Sequence, residues 1–315
     1  MPLDVETRAF LERANARSGN IHDSFSVEEF RAAGEALRAL SFDAEELAEI
    51  RDISIPVAGG RDISVRLYRP DVEGSPPLIV GVHGGSWVRM SVSLQDEYYR
   101  ALANRSGCVV AAVEYRLAPE SRFPTAIEEV HAAASWLQQH ATALSCDANR
   151  FAILGESSGG NLAAAATLMA RERGDVSYSR QFLLVPLLDL RLESPSWEEF
   201  GTGYLLGKPQ LRWALEQYAP GVEVSHPLLS PLCADSHIGL PAALIFTGEY
   251  DPLRDDGARY AVALQQAGVR VRYWEVPGLV HPAVLVPKAI PSAALFFEKF
   301  GAMVGAELAS IERVS

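Results

Sequence analysis

The stretch FAILGESSGGNLAAAA, residues 151–166, constrains the fold of this chain more than any other. An apolar run ends at Gly155, a Gly-x-Ser-x-Gly follows, and an alanine-rich segment with helical character begins at once. A strand that turns sharply into a helix needs small residues two before and two after the turning residue, and Gly155 and Gly159 supply them. Ser157 would then project above the sheet at a helix N-terminus, where the field favours developing negative charge. The competing reading is a plain glycine-rich turn, even a phosphate-binding one. The full dinucleotide fingerprint is not present.

The same texture extends on both sides. PLIVGVHGG, CVVAAVEY, FLLVPLLD, ALIFTG and VRYWEV are apolar runs of strand length. Between them lie AIEEVHAAASWLQQH, NLAAAATLMARER and GARYAVALQQAG, which are apolar at helical spacing. Buried strands alternating with amphipathic helices predict a mostly parallel, twisted, eight-stranded sheet with helices on both faces. Before it, DISIPVAGG and RDISVRLYRP alternate apolar and polar residues around Gly59-Gly60, a hairpin signal. Residues 4–50 read as helices: Phe30, Leu37 and Leu40 share one face, and Ser41 followed by Glu45 and Glu46 resembles a further helix start. Residues 191–233 hold no clear strand but include YLLGKPQLRWALEQYA, which reads as a helix. The expected organisation is a core of 51–190 and 234–315, a lid inserted at 191–233, and N-terminal helices 1–50 joining that lid to form a helical cap.

A serine is a poor nucleophile without a base, an orienting acid and donors for the oxyanion. The chain has seven histidines. If the order is serine, acid, histidine, as in α/β-hydrolases, then only His226, His237 and His281 follow Ser157. His281 comes after VRYWEVPG, at the sheet edge where ligands bind in open α/β sheets. His226 and His237 precede ALIFTG, so an acid following that strand could not precede them; they read as lid or surface residues. In GEYDPLRDDG, Asp251 is placed by the strand end and stiffened by Pro252. Glu249, Asp255 and Asp256 compete with it, though Asp255 and Asp256 suit the start of the next helix. The glycines of LIVGVHGGSW allow close backbone approach, so the N–H groups of Gly84 and Gly85, with that of Ser158, are the expected oxyanion donors. His83 would position this loop through hydrogen bonds. Trp87, Leu205, Leu206 and Trp213 are candidates for an apolar site rim, each equally suited to lid core.

Composition narrows the partners. The chain has 315 residues, of which 48 % are hydrophobic and 22 % charged, enough for one large core. Its net charge of −12 disfavours nucleic acid and anionic membrane surfaces. No apolar run reaches the roughly 18 residues of a membrane span. The N-terminus MPLDVETRAFLERANARSGN has no apolar signal region, so a cytoplasmic location is expected. Cys108, Cys146 and Cys233 are far apart and form neither a metal-type spacing nor a disulfide framework. The reading requires no metal and no cofactor; the oligomeric state is open, a homodimer included.

Taken together, HGGSW (83–87), EYRLAPESRFPTAIEEV (114–130), GESSGGNLAA (155–164), HPLLSPL (226–232) and DPLRDDG (251–257) resemble the hormone-sensitive-lipase-like family of α/β-hydrolases, ester hydrolases with an HGGG motif. The resemblance runs from about Pro77 to the C-terminus. It implies cofactor-free hydrolysis of carboxylic esters, with nucleophile Ser157, acid Asp251, base His281 and oxyanion donors Gly84, Gly85 and Ser158. The chain departs from the family pattern at Ser86 (usually a third glycine), Glu156 and Ser158 (usually Asp and Ala), Glu114 (usually Asp) and Pro282-Ala283 (usually Gly-Phe). Catalysis does not explain EYRLAPE, although it is specific to the family. The substrate expected is a small-molecule ester of short to medium chain. Two other outcomes keep the same residues: a biosynthetic acyl transfer or elimination, and a non-catalytic ligand-binding protein.

Overall fold

The computed structural model describes residues 3–18, 26–57 and 61–311. Its strands are β1 (Glu49–Pro56), β2 (Asp62–Arg69), β3 (Pro77–Val82), β4 (Val109–Glu114), β5 (Asp147–Glu156), β6 (Arg180–Leu184), β7 (Ala242–Tyr250) and β8 (Val271–Val280). The helices are α1 (Val5–Ser18), α2 (Val27–Glu35), α3 (Asp96–Ser106), α4 (Thr125–Gln139), α5 (Ser158–Arg173), α6 (Pro195–Phe200), α7 (Lys208–Tyr218), α8 (Arg254–Gln266) and α9 (Pro291–Ala309).

The strands form one eight-stranded sheet in the order β1-β2-β4-β3-β5-β6-β7-β8. From β4 across to β8 every pairing is parallel, and β2 runs antiparallel to both β1 and β4. The β1–β2 hairpin forms as expected, with Pro56 opposite Asp62; Gly59 and Gly60, like His22, lie outside the described residues.

Alternation explains why the central strands are apolar throughout. Leu78, Val80, Val82, Val109, Ala111, Val113, Phe151 and Ile153 join the core on one face. Ile79, Val110, Ala112, Ala152 and Leu154 join the core on the other. A strand covered on both sides has no polar face to show. The alanines of α5 serve the same end. The helix is buried along Ser158–Ala170, and small side chains let it lie close to the middle of the sheet.

The expected helix start at Ser41 is not there. Residues 41–48 form no helix, and the chain passes from them into β1. Local propensity loses to tertiary contacts: Phe42 packs on Phe297 at 4.7 Å between ring centroids. The Glu45 carboxylate meets Arg105 at 2.6 Å, and the Glu45 carbonyl accepts from Arg100 at 3.0 Å. Ahead of this segment, α2 begins with a full capping box between Ser26 and Glu29.

Between β6 and β7, the segment 191–233 carries α6 and α7. Pro209 in the first turn of α7 starts that helix later than the periodicity suggests. Both N-terminal helices touch the segment. Asn15 Nδ2 donates to the Gly203 carbonyl at 3.0 Å, and Phe30 of α2 meets Trp213 of α7 edge-on at 5.2 Å.

Candidate active site

Ser157 sits between the end of β5 and the first turn of α5, with φ 56° and ψ −121°. Backbone in this region costs on the order of 1–3 kcal/mol and persists only where the surroundings hold it. Here the surroundings are tight. Ser157 N donates to the Leu184 carbonyl at 3.0 Å, and Leu187 N donates to the Ser157 carbonyl at 3.2 Å. A Cβ on Gly155 would lie 2.1 Å from the Gly159 carbonyl oxygen, and one on Gly159 would lie 2.2 Å from that of Val82. The turn therefore admits only glycine at both positions.

Asp251 follows β7, and His281 follows β8, at the same edge of the sheet. His281 Nε2 lies 2.9 Å from Ser157 Oγ, and its Nδ1 lies 2.9 Å from Asp251 Oδ2. Asp251 Oδ1 accepts the Leu253 N–H at 2.7 Å. All three side chains are buried. With Asp251 ionised, Nδ1 carries the proton and Nε2 is left to accept from the serine.

The competing carboxylates are engaged elsewhere. Glu249 accepts from Gly278 N at 2.8 Å. Asp255 accepts from Ser196 N at 2.9 Å. Asp256 accepts the N–H groups of Leu188 and Asp189, at 2.9 and 3.0 Å. His226 accepts from Leu228 N, and His237 faces the Pro231 carbonyl; His237 is buried rather than a surface residue.

Burial pushes the Asp256 carboxyl up to about 8. The carboxyl is thus neutral in the fold where it would be ionised in the unfolded chain. That contribution to stability is complete below the unfolded value, about 4, and is lost as pH rises through about 8. Asp256→Asn keeps an oxygen for the two N–H groups and cannot ionise. Its Tm relative to wild type should rise from pH 5 to about pH 8 and level off above that. Asp256→Ala also cannot ionise but leaves both N–H groups unpaired, so it should be less stable than Asp256→Asn by about 1–3 kcal/mol at every pH. Parallel Tm curves for wild type and Asp256→Asn would refute this account.

The loop after β3 corrects one expected donor. Gly84 N donates to Glu156 Oε1 at 2.7 Å, so this N–H is committed to the protein and cannot hold an oxyanion. Gly85, at φ 109°, turns the chain where a Cβ would strike the Arg89 carbonyl oxygen at 2.3 Å. Ser86 follows at φ 55°, a conformation that costs about 1–2 kcal/mol for a residue with a side chain. The N–H groups of Gly85, Ser86 and Ser158 make no hydrogen bond among the described residues.

His83 is buried, and its Nδ1 donates to the Gly84 carbonyl at 2.8 Å. Burial pushes its imidazole down to about 4, so it is neutral at neutral pH. Tyr115 stacks on it at 4.2 Å and donates its hydroxyl to the His83 carbonyl at 2.8 Å. The motif EYRLAPE, unexplained by chemistry, thus props this loop. Glu114 accepts Val92 N at 2.8 Å, and Ala118 N donates to the Trp87 carbonyl at 2.9 Å. Glu120 pairs with Arg31 of α2, whose Nε donates to the Val88 carbonyl at 3.0 Å.

The four candidate rim residues divide. Trp87 is buried, stacked on Tyr218 at 4.7 Å, and belongs with Leu206 to one core. Leu205 packs against the opposite core, and half-buried Trp213 against that of Trp87.

A serine, a histidine and a buried carboxylate in series, at the carboxyl edge of a parallel sheet, define the site of a serine hydrolase. Residues 79–285 match the model of a family described as alpha/beta hydrolase fold. The chain is 35 % identical over 292 residues to an arylesterase of Saccharolobus solfataricus, covering 91 % of this chain and 94 % of the relative. It is 34 % identical over 305 residues to an ethyl acetate hydrolase of Pseudomonas putida, covering 93 % and 95 %. The structure of an ester hydrolase from the metagenome of Lake Arreo, bound to a bipyridine phosphonate derivative, superposes with a TM-score of 0.92 at 31 % identity, covering 98 % of this chain and 100 % of that one. The chain belongs to the alpha/beta hydrolase family, among its hormone-sensitive-lipase-like carboxylesterases. No helix among the described residues is long and apolar enough to cross a membrane.

Proposed function

We propose that this enzyme is a serine carboxylic-ester hydrolase working through an acyl-enzyme on Ser157. The observation that carries the reading is the series Ser157 Oγ, His281, Asp251, with 2.9 Å at each step. His281 Nε2 takes the Ser157 proton as Oγ attacks the ester carbonyl. The oxyanion is held by the N–H groups of Gly85, Ser86 and Ser158, each donor of this kind being worth about 3–4 kcal/mol. His281 then gives its proton to the departing alcohol, and water repeats the sequence to release the acid. Asp251 fixes the histidine tautomer and stabilises its cation.

Segment 191–233 together with α1 and α2 is proposed as the cap over this site, on the strength of the contacts between Asn15 and Gly203 and between Phe30 and Trp213. Under a cap, each methylene of the acyl chain gains about 0.8 kcal/mol only until the space is full. The proposed substrates are small-molecule esters of short to medium chain, and the names of the relatives, an arylesterase and an ethyl acetate hydrolase, agree with that. A cytoplasmic setting is proposed because Cys108, Cys146 and Cys233 are all free.

The test is kcat/KM across p-nitrophenyl esters from acetate to palmitate in detergent-free buffer. The rate should rise and then fall, with its maximum at or below about eight carbons, where added methylenes no longer find apolar surface to bury. A maximum at the longest chains would refute the capped pocket. Absence of turnover at every length would refute the hydrolase and favour a specialised acyl transfer or elimination.

A further inference from the structure

We propose that Glu156, supported by Gln95, is a positioning residue for the oxyanion loop. It holds the Gly84 peptide so that the N–H groups that follow are presented to the ester carbonyl. The inference rests on the ester-hydrolase reading above.

Glu156 is the residue before the nucleophile, and its side chain is buried. Its Oε1 accepts two hydrogen bonds, from Gly84 N at 2.7 Å and from Gln95 Nε2 at 3.0 Å. Gln95 is also buried and stands immediately before α3, where its carbonyl accepts from Tyr99 N at 3.0 Å. One carboxylate oxygen therefore joins the end of β5, the loop after β3 and the start of α3. These are the segments that must keep register for Ser157 and the oxyanion donors to meet the same carbonyl.

The contact leaves no slack. A Cβ on Gly84 would lie 2.3 Å from Glu156 Oε1, so the glycine lets the loop close down on the carboxylate. With the Gly84 N–H committed, the next residue reverses the chain at φ 109°. The next two, Ser86 and Trp87, follow at φ 55° and 60°. Three successive peptides in left-handed conformations, two of them with side chains, need an anchor on each side to remain there. On one side Ala118 N donates to the Trp87 carbonyl at 2.9 Å. Glu156 is the anchor on the other.

An apolar residue would fill the space before Ser157 without the cost of burying a carboxyl group. Retention of an acceptor there fits a placement role better than a packing role. The environment of the acid is electrostatically coupled to the site as well. Burial raises Glu156, while the Gln95 hydrogen bond, the nearby His281, the Gly84 amide and Arg89 all pull it back.

The variants are Glu156→Gln, which keeps an acceptor oxygen, Glu156→Ala, which removes it, and Gln95→Ala, which removes only the support. Each is first checked for native circular dichroism and for labelling of Ser157 by a fluorophosphonate. Glu156→Ala should lose about 10²-fold in kcat, in the range seen when one oxyanion donor is lost, with KM within about threefold. Gln95→Ala should lose about tenfold, and Glu156→Gln less than that. The second readout is the inhibition constant of an aryl trifluoromethyl ketone. Ser157 Oγ adds to its carbonyl carbon, the C=O π pair becomes the oxyanion, and His281 keeps the proton. This constant should weaken in step with kcat/KM, whereas binding of the corresponding non-fluorinated ketone should not change.

A folded Glu156→Ala or Gln95→Ala enzyme with kcat within twofold of wild type would overturn the proposal. So would a rise in KM at constant kcat, or a Glu156→Gln enzyme as impaired as Glu156→Ala. If the wild type binds the fluoroketone but turns over no ester, the hydrolase reading alone fails, and the ketone affinities of the variants still decide the role of Glu156.

Discussion

Replacing Ser157 with alanine should abolish ester turnover to the limit of detection and end labelling by a fluorophosphonate, while the protein stays folded. The reason lies in what the hydroxyl does in the structure. Ser157 Oγ has a single protein partner among the described residues, His281 Nε2 at 2.9 Å. Its loss therefore removes one hydrogen bond, worth about 1 kcal/mol, and strands no buried N–H group. The backbone conformation at φ 56° is held by the Leu184 and Leu187 hydrogen bonds and by the crowding at Gly155 and Gly159, none of which involves the side chain. Thermal unfolding should accordingly stay within a few degrees of wild type. The chemistry has no such redundancy. Without Oγ no acyl-enzyme forms, and only the residual catalysis of binding and oxyanion stabilisation remains, about 10³–10⁴ over water in comparable triads. Intact-mass measurement after exposure to the probe reads both claims at once: a single phosphonyl adduct on wild type and none on Ser157→Ala. An adduct of equal yield on the variant would place the nucleophile elsewhere.

What could be read from the sequence and what could not divide along a physical line. The strands were legible because a sheet covered on both faces leaves uninterrupted apolar runs, as in Leu78–Val82 and Phe151–Leu154. The Ser157 turn was legible because steric exclusion allows only glycine at 155 and 159, and such positions leave a mark in one dimension. Asp251 and His281 could be found from topology, since a residue directly after a parallel strand lies at the same edge as its neighbours. The fate of the Gly84 N–H could not be found in this way. Both its commitment to Glu156 and its loss as a donor depend on a side chain 72 residues away. The region 41–48 failed for a related reason: Ser41 and the glutamates are a sound local helix signal, overridden by Arg105, Arg100 and Phe297 across the fold. Helix α3 carries ordinary end signals, with Asp96 and Glu97 in the first turn and a left-handed Gly107 at its end. The EYRLAPE motif makes no sense as chemistry and becomes plain once Tyr115 is seen donating to the His83 carbonyl. It acts on the site through the backbone of the loop.

Asp251→Asn is the change that should separate orientation from chemistry in this site. The carboxylate accepts from His281 Nδ1 at 2.9 Å and from Leu253 N at 2.7 Å, and it is fully buried. An asparagine has the same shape, but only one of its two terminal atoms accepts. If its oxygen stays with Leu253 N, its NH₂ faces Nδ1. The imidazole must then carry its proton on Nε2, where it can no longer accept from Ser157. The negative charge that would stabilise the imidazolium during attack is lost as well. The expected fall in kcat is on the order of 10⁴-fold, as in a triad whose acid is changed this way, with little change in KM because the acyl pocket is untouched. The competing acids give the internal controls. Glu249→Gln alters a contact to Gly278 N, and Asp256→Asn retains an acceptor for Leu188 and Asp189. Both should keep kcat within about tenfold, since neither reaches the imidazole. Raising the pH should restore part of the Asp251→Asn activity, because hydroxide can take the serine proton when the histidine cannot. A variant at Asp256 that falls 10⁴-fold while Asp251→Asn remains active would show that the acid has been assigned to the wrong end of the DPLRDDG segment.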